Sequence, residues 1–216
     1  MSDKDHWCNS GYEAIDDVEN EYAERGGEDG LQRVYLKAGE DIVVVFETDE
    51  PFGIWEHQVP ISIPGQKTNW RNWFTCRKKL GDCDLCGSNN SYYVGFYIVR
   101  DMTGWTDRKG NQRGVGERRL FPAKLKTLKQ LKTISERKGG LKGWKVMITR
   151  TSNDAPNVGD LFDFDSKVDL STLPDCGELP DLKEIFRPKS NEEIKVVLAG
   201  EIMGNSGTTE EDPVNY

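Results

Sequence analysis

The chain has 216 residues, of which 36% are hydrophobic, 31% charged and 10% aromatic, with a formal net charge of −8. That length suits one domain with an insertion or tails, and the low apolar share leaves part of the chain as arm or tail. No apolar run approaches the roughly 18 residues that span a bilayer, and Met1-Ser2-Asp3-Lys4-Asp5 lacks the apolar core of a secretory leader, so a soluble, intracellular protein is expected.

The charge is blocked along the chain. Residues 1–65 carry a net −12, residues 66–150 a net +14 and residues 151–216 a net −10. A basic centre between acidic ends points to a polyanion-binding core whose flanks modulate it. The plainer alternative is charge balance for solubility, which alternating signs would serve as well.

Residues 1–30 read as an acidic arm. Within it Ile15, Val18 and Tyr22 recur at helical spacing, predicting a helix over 12–24 that Gly26-Gly27 ends. Val34–Lys37 and the β-branched run Ile42–Phe46 are predicted strands around the turn Ala38–Asp41. Residues 54–91 are predicted irregular. Tyr92–Arg100 is a strand, Asp101–Gly116 a Gly-rich hairpin connection, and Arg118–Pro122 a further strand. Leu125, Leu128, Leu131 and Ile134 repeat every three residues, predicting a helix over about 123–137 with that stripe on the core and Gly139-Gly140 as its stop. Trp144–Arg150 alternates as a strand, and Leu161–Phe164 is a shorter one. Pro174, Pro180 and Pro188 make 165–190 an extended surface segment, Asn191–Leu198 a short helix, and 205–216 a disordered acidic tail.

This order predicts a mainly β chain. Residues 31–165 would form a five- to six-stranded OB-fold barrel with one helix and an inserted zinc-binding subdomain at about 54–91. An extended segment and short helix over 166–204 would follow.

Five cysteines, an odd number with three clustered, favour metal binding over a disulfide framework. Cys83-Asp84-Leu85-Cys86 is a C-x-x-C knuckle, whose two thiolates can grip one tetrahedral ion without straining the backbone. Cys76 lies upstream, and His57 is the only nearby histidine to complete a Cys₃His set. Four protein ligands leave no open position, so one zinc here would be structural rather than catalytic. The alternatives are a buried apolar Cys76 beside a redox pair, or a fourth ligand drawn from His6 with Cys8. Cys8 and Cys176 otherwise read as ordinary thiols.

Cations and rings interleave around this motif. Trp70, Arg71 and Trp73 precede Cys76, and Arg77, Lys78 and Lys79 follow it. Tyr92, Tyr93, Tyr97 and Arg100 lie on the next strand. Trp105, Arg108, Lys109 and Arg113 decorate the hairpin, with Arg118 and Arg119 after it, and Lys124, Lys126, Lys129 and Lys132 line the helix. Single strands are bound by this pairing: cations follow phosphates and rings stack on unpaired bases at about 1–3 kcal/mol per base. Such binding ignores sequence and weakens with salt. A helix offering almost only lysine lacks the base-reading side chains that duplex recognition needs. About half of Tyr92, Tyr93, Phe96 and Tyr97 should be buried; Phe46, Trp55 and Trp144 read as core, and Trp70, Trp73 and Trp105 as the better stacking candidates.

The tail pairs Glu210, Glu211 and Asp212 with Tyr216. It is expected to compete with DNA for the basic groove and to dock replication or recombination proteins, unless it is merely a solvated terminus. Catalysis is not expected: there is no phosphate-binding G-x-x-x-x-G-K-[ST] loop and no H-x-E with P-C-x-x-C pairing of the deaminase kind. The competing reading is a zinc-ribbon adaptor or transcription factor that binds a polymerase.

His57…Cys76…Cys83-x-x-Cys86 within an OB-like barrel, among basic and aromatic residues and with an acidic end, resembles the zinc-containing single-stranded DNA-binding proteins of T-even-type and related bacteriophages. The resemblance covers roughly residues 30–165. It implies a structural zinc on His57, Cys76, Cys83 and Cys86, and single-stranded DNA in a groove between the zinc subdomain and the barrel. It also implies a setting in phage replication, recombination and repair, in the cytoplasm of a bacterial host, with self-association on DNA as a further possibility.

Overall fold

The computed structural model describes residues 31–62, 69–106 and 112–204. The expected arm helix at 12–24 and the acidic tail lie outside them. Among the described residues the chain is mainly β: β1 (Asp41–Phe46), β2 (Phe52–Ser62), β3 (Asn69–Thr75), β4 (Tyr92–Asp101), β5 (Trp105–Thr106), β6 (Gln112–Arg113), β7 (Glu117–Lys124), β8 (Trp144–Thr149) and β9 (Leu161–Lys167). Three helices accompany them: α1 (Leu125–Lys138), α2 (Leu182–Ile185) and α3 (Asn191–Gly204). None is long and apolar enough to cross a membrane.

The main sheet is antiparallel in the order β3-β2-β4-β1-β8-β9, with β7 on the other edge of β4. β4 organises it. Its first half pairs with β2, from Tyr92 opposite Glu56 to Phe96 opposite Phe52; its second half pairs with β1, Val99 opposite Phe46. Its whole length from Val94 pairs with β7. β1 and β2 thus behave as one bent strand, and beyond Glu56 the β2–β3 ribbon projects from the barrel-like body.

A strand with partners on both edges and cover on both faces should be apolar throughout, and β4 is buried from Val94 to Asp101. One face joins the main core of Phe46, Tyr97, Val99, Phe121, Leu131 and Ile148. The other carries Val94 and Phe96, on which the Phe186 ring stacks at 4.2 Å. Phe186 belongs to the extended segment after β9. Arg118 also ties that segment down, donating to the carbonyls of Cys176, Gly177 and Glu178.

α1 caps the core. Leu128 and Leu131 face inward, and the backbone of β4 comes so close at Gly95 that a Cβ there would lie 2.7 Å from a Leu128 methyl. The helix ends at Gly139, left-handed at φ 70, whose N–H returns to the Ser135 carbonyl.

Four expectations are corrected. Val34–Lys37 is not a strand; a single parallel bridge joins Arg33 to Leu120, and the segment is held instead by Val34 N–H on the Leu120 carbonyl and Leu36 N–H on the Asn157 carbonyl. Residues 54–91 are not irregular but hold the β2–β3 ribbon. Pro60 hides it from pattern reading, and it is tolerated where β2 has lost β4 as a neighbour. Leu125 is 56% exposed because it opens the helix rather than facing the core. The C-terminal helix runs on to Gly204.

Candidate metal centre and the two faces of the ribbon

His57 lies on β2 opposite Phe74 of β3 and is fully buried. Cys76 follows β3 directly, and Cys83 and Cys86 stand at the start and inside of a 3-10 turn, Asp84–Gly87. The chain thereby brings His57 Nε2 to 3.5 Å from Cys83 Sγ and 3.6 Å from Cys86 Sγ, with Cys76 Sγ 3.6 Å from Cys86 Sγ. All four ligand atoms lie within 4.8 Å of one another, so the group could hold a metal ion.

The electrostatics of the bare cluster are unfavourable. Burial and the adjacent Cys76 and Cys83 sulfurs push the Cys86 thiol up to about 11. Burial also raises Cys83, but backbone N–H groups of Arg77, Cys86 and Leu85 outweigh it and hold that thiol below its ordinary value. A cation among the sulfurs would remove the conflict between them. With Nε2 toward the thiols, Nδ1 of His57 is buried and finds no hydrogen-bond partner among the described residues.

The centre is braced from outside. Asn89 Nδ2 donates to the Gln58 carbonyl at 2.7 Å, tying the knuckle to β2. Phe74 and Leu85 pack with Ile194 of α3. Lys195 pairs with Asp84 at 3.0 Å.

Alternation puts Trp55 on the same face of β2 as His57. Trp55 is opposite Tyr93 on β4, the rings 5.8 Å apart and edge to face, and the two are 44% and 37% exposed. The Cys76 N–H donates to the Trp55 carbonyl at 2.8 Å, so Arg77 and the exposed Lys78 and Lys79 begin right beside this pair. Expected as core, Trp55 is instead exposed, among the last residues of β2 that pair with β4 before the ribbon projects.

The opposite face carries Arg33, Glu56, Tyr92 and Trp73. Glu56 is buried and receives Arg33 at 2.5 and 3.1 Å and the Tyr92 hydroxyl at 2.8 Å. Burial and then the Glu56 carboxylate raise the Tyr92 phenol above its ordinary value. Sequence reasoning missed Arg33 and Glu56, which stand in no motif.

The remaining expected contacts divide by burial. Lys124 and Lys126 are exposed, and Lys124 lies 4.8 Å over the Tyr92 ring. Tyr97, Arg100 and Arg119 are corrected as surface contacts: all three are buried. Tyr97 packs on Phe46, and burial with Glu50 nearby pushes its phenol up to about 12. Arg119 pairs with Asp101 at 2.8 Å and lies over the half-buried Trp105 ring. Arg100 and Arg118 share the buried Glu47. Arg113 is half-buried opposite Trp105. The side chains of Trp70 and Arg71, and Arg108, Lys109, Glu210, Glu211, Asp212 and Tyr216, lie outside the described residues.

Comparison with protein-family models, with curated proteins and with solved structures finds no match to this chain.

Proposed function

We propose that this chain binds single-stranded DNA without reading its sequence, on an OB-type barrel whose projecting ribbon is pinned by one structural zinc. The observation that carries the reading is the Trp55–Tyr93 pair. Two large rings face solvent on a regular strand pair, and three consecutive cations start at the residue after Trp55's backbone partner. Rings for bases and cations for phosphates are what a single strand offers partners to.

The zinc assignment rests on fit. Thiolates at about 2.3 Å and an imidazole nitrogen at about 2.0–2.1 Å in a tetrahedron put sulfurs about 3.8 Å apart and sulfur to nitrogen about 3.6 Å apart. The three short separations in the cluster are 3.5, 3.6 and 3.6 Å. The OB-type assignment rests on a bent first strand shared between β4 and β8, and on α1 standing between β7 and β8. The resemblance to the T-even-type proteins favours a role in guarding single strands during phage replication, recombination and repair, with the acidic end as a docking segment for partner proteins.

Intrinsic tryptophan fluorescence titrated with oligo-dT across a salt series tests the reading. Quenching that salt reverses and duplex competitor does not is expected, together with one zinc per chain by elemental analysis. A flat response in dilute buffer overturns it.

A further inference from the structure

The ribbon face opposite the metal holds a second exposed ring, Trp73, 36% exposed. Its surroundings are ordered by a closed circuit. The Arg33 guanidinium lies over the indole at 4.8 Å and is held there by Glu56. Glu56 also accepts the Tyr92 hydroxyl, and the Tyr92 oxygen in turn accepts from the Trp73 indole N–H, the one donor that ring has. A buried carboxylate, a phenol and a guanidinium thus fix one half-open ring, leaving it little rotamer freedom to lose on stacking.

Beside Trp73 lies a cavity of about 240 Å³ between the ribbon and the segment that follows α2, with Arg33, Phe186, Arg187 and Lys189 in its wall. It is smaller than the ~300 Å³ where sites for whole drug-sized ligands begin, so it suits one flat ring. Arg187 and Lys189 are exposed. Arg187 pairs with Glu193 at 2.9 Å, but both side chains are largely exposed, and a screened pair of this kind yields to a phosphate.

We propose that this cavity is a nucleotide subsite: one base stacks on Trp73 and its phosphate lies at Arg187 and Lys189. β3 is the edge of the sheet, so a single strand seated on Trp55 and Tyr93 reaches the subsite by folding over that edge. The inference rests on the single-strand reading above and adds a second face and the segment 187–189 to it.

The test uses the full chain and a ladder of oligo-dT lengths, with affinities measured for wild type, Trp55→Ala, Trp73→Ala, Trp73→Phe and Arg187→Gln/Lys189→Gln. Wild-type affinity should rise with length in two steps. Trp73→Ala and the double glutamine variant should lose the second step, about tenfold, and keep binding of the shortest oligonucleotides; Trp73→Phe should keep most of it. Trp55→Ala should lose the first step. In 5-fluorotryptophan-labelled protein the Trp73 resonance should move with long oligonucleotides. If the Trp73 and double variants bind long strands as wild type does, the subsite is refuted and the single-strand reading stands. If dTMP moves the Trp73 resonance while strands of every length leave it still, the cavity takes free nucleotides and the path over the edge is refuted. If wild type binds no strand at all, it is the single-strand reading that fails.

Discussion

Asn191 grips the metal knuckle from outside: its Oδ1 accepts the Asp84 N–H at 3.2 Å, and its Nδ2 donates to the Asp82 carbonyl at 3.4 Å. With Ile194 packed on Phe74 and Leu85, the first turn of α3 depends on the shape of the turn that carries Cys83 and Cys86, two of the four candidate ligands. Stripping the metal with a chelator, or Cys86→Ser, should therefore release α3 while the barrel stays folded. Hydrogen exchange is expected to accelerate over 191–198 and remain slow in β4 and β8. Unchanged protection of α3 in metal-free protein would refute the coupling.

Trp55→Ala removes half of a pair 44% and 37% exposed, so stability should change by less than about 1 kcal/mol while oligo-dT affinity falls about tenfold or more. Paired measurements of thermal midpoint and affinity check it. A large loss of stability with unaltered affinity would make Trp55 a packing residue.

Glu47 is a buried carboxylate serving two cations. Arg118 meets it in two-pronged fashion at 2.7 and 3.2 Å, and Arg100 Nε lies 3.2 Å away, in ion-pair range though without hydrogen-bond geometry. Glu47→Ala leaves both guanidiniums short of a partner and should cost about 3–5 kcal/mol. Denaturant midpoints give the value. Because Arg118 also holds residues 176–178, limited proteolysis should cut there faster in the variant.

Asp160 ties the start of the β8–β9 connection, accepting the Thr151 hydroxyl at 2.6 Å and the Thr151 N–H at 2.9 Å. These bonds, the hydroxyl's first, hold its carboxyl below the ordinary carboxylate value. A depressed folded-state value means that the contribution is present above the unfolded value near 4 and is lost as pH falls through the folded one. Thr151→Val should move the Asp160 titration, followed by carboxyl carbon resonances, upward toward the unperturbed range. No upward movement would assign the depression to another group.

The barrel was legible where one physical rule decides the pattern. The Ile42–Phe46 run answers to a strand covered on both faces, the alternation at Trp144–Thr149 to one buried face, and the repeat of α1 to the side that Leu128 and Leu131 turn to the core. The four side chains of the candidate metal centre were legible because their chemistry names them whatever the backbone does. The β2–β3 ribbon was not, since Pro51, Gly53 and Pro60 read as breaks; Pro51 in fact precedes β2, Gly53 lies opposite Gly95 of β4, and Pro60 lies opposite Arg71 of β3 where β2 no longer pairs with β4. The engagement of three arginines within the fold was hidden for a different reason: Arg100, Arg118 and Arg119 answer to Glu47 and Asp101, acids distant in sequence whose partnership no local pattern reveals.

The one strand common to body and ribbon has a mechanical consequence. That strand is β2, which is laddered to β4 over Phe52–Glu56 and to β3 from Glu56 to Ser62, so tension applied to the ribbon is carried along one continuous backbone into the β4 ladder. The ribbon is thus a cantilever: it has no loop at its root to bend, and its direction is set by the twist of β2 where one partner strand gives way to the next.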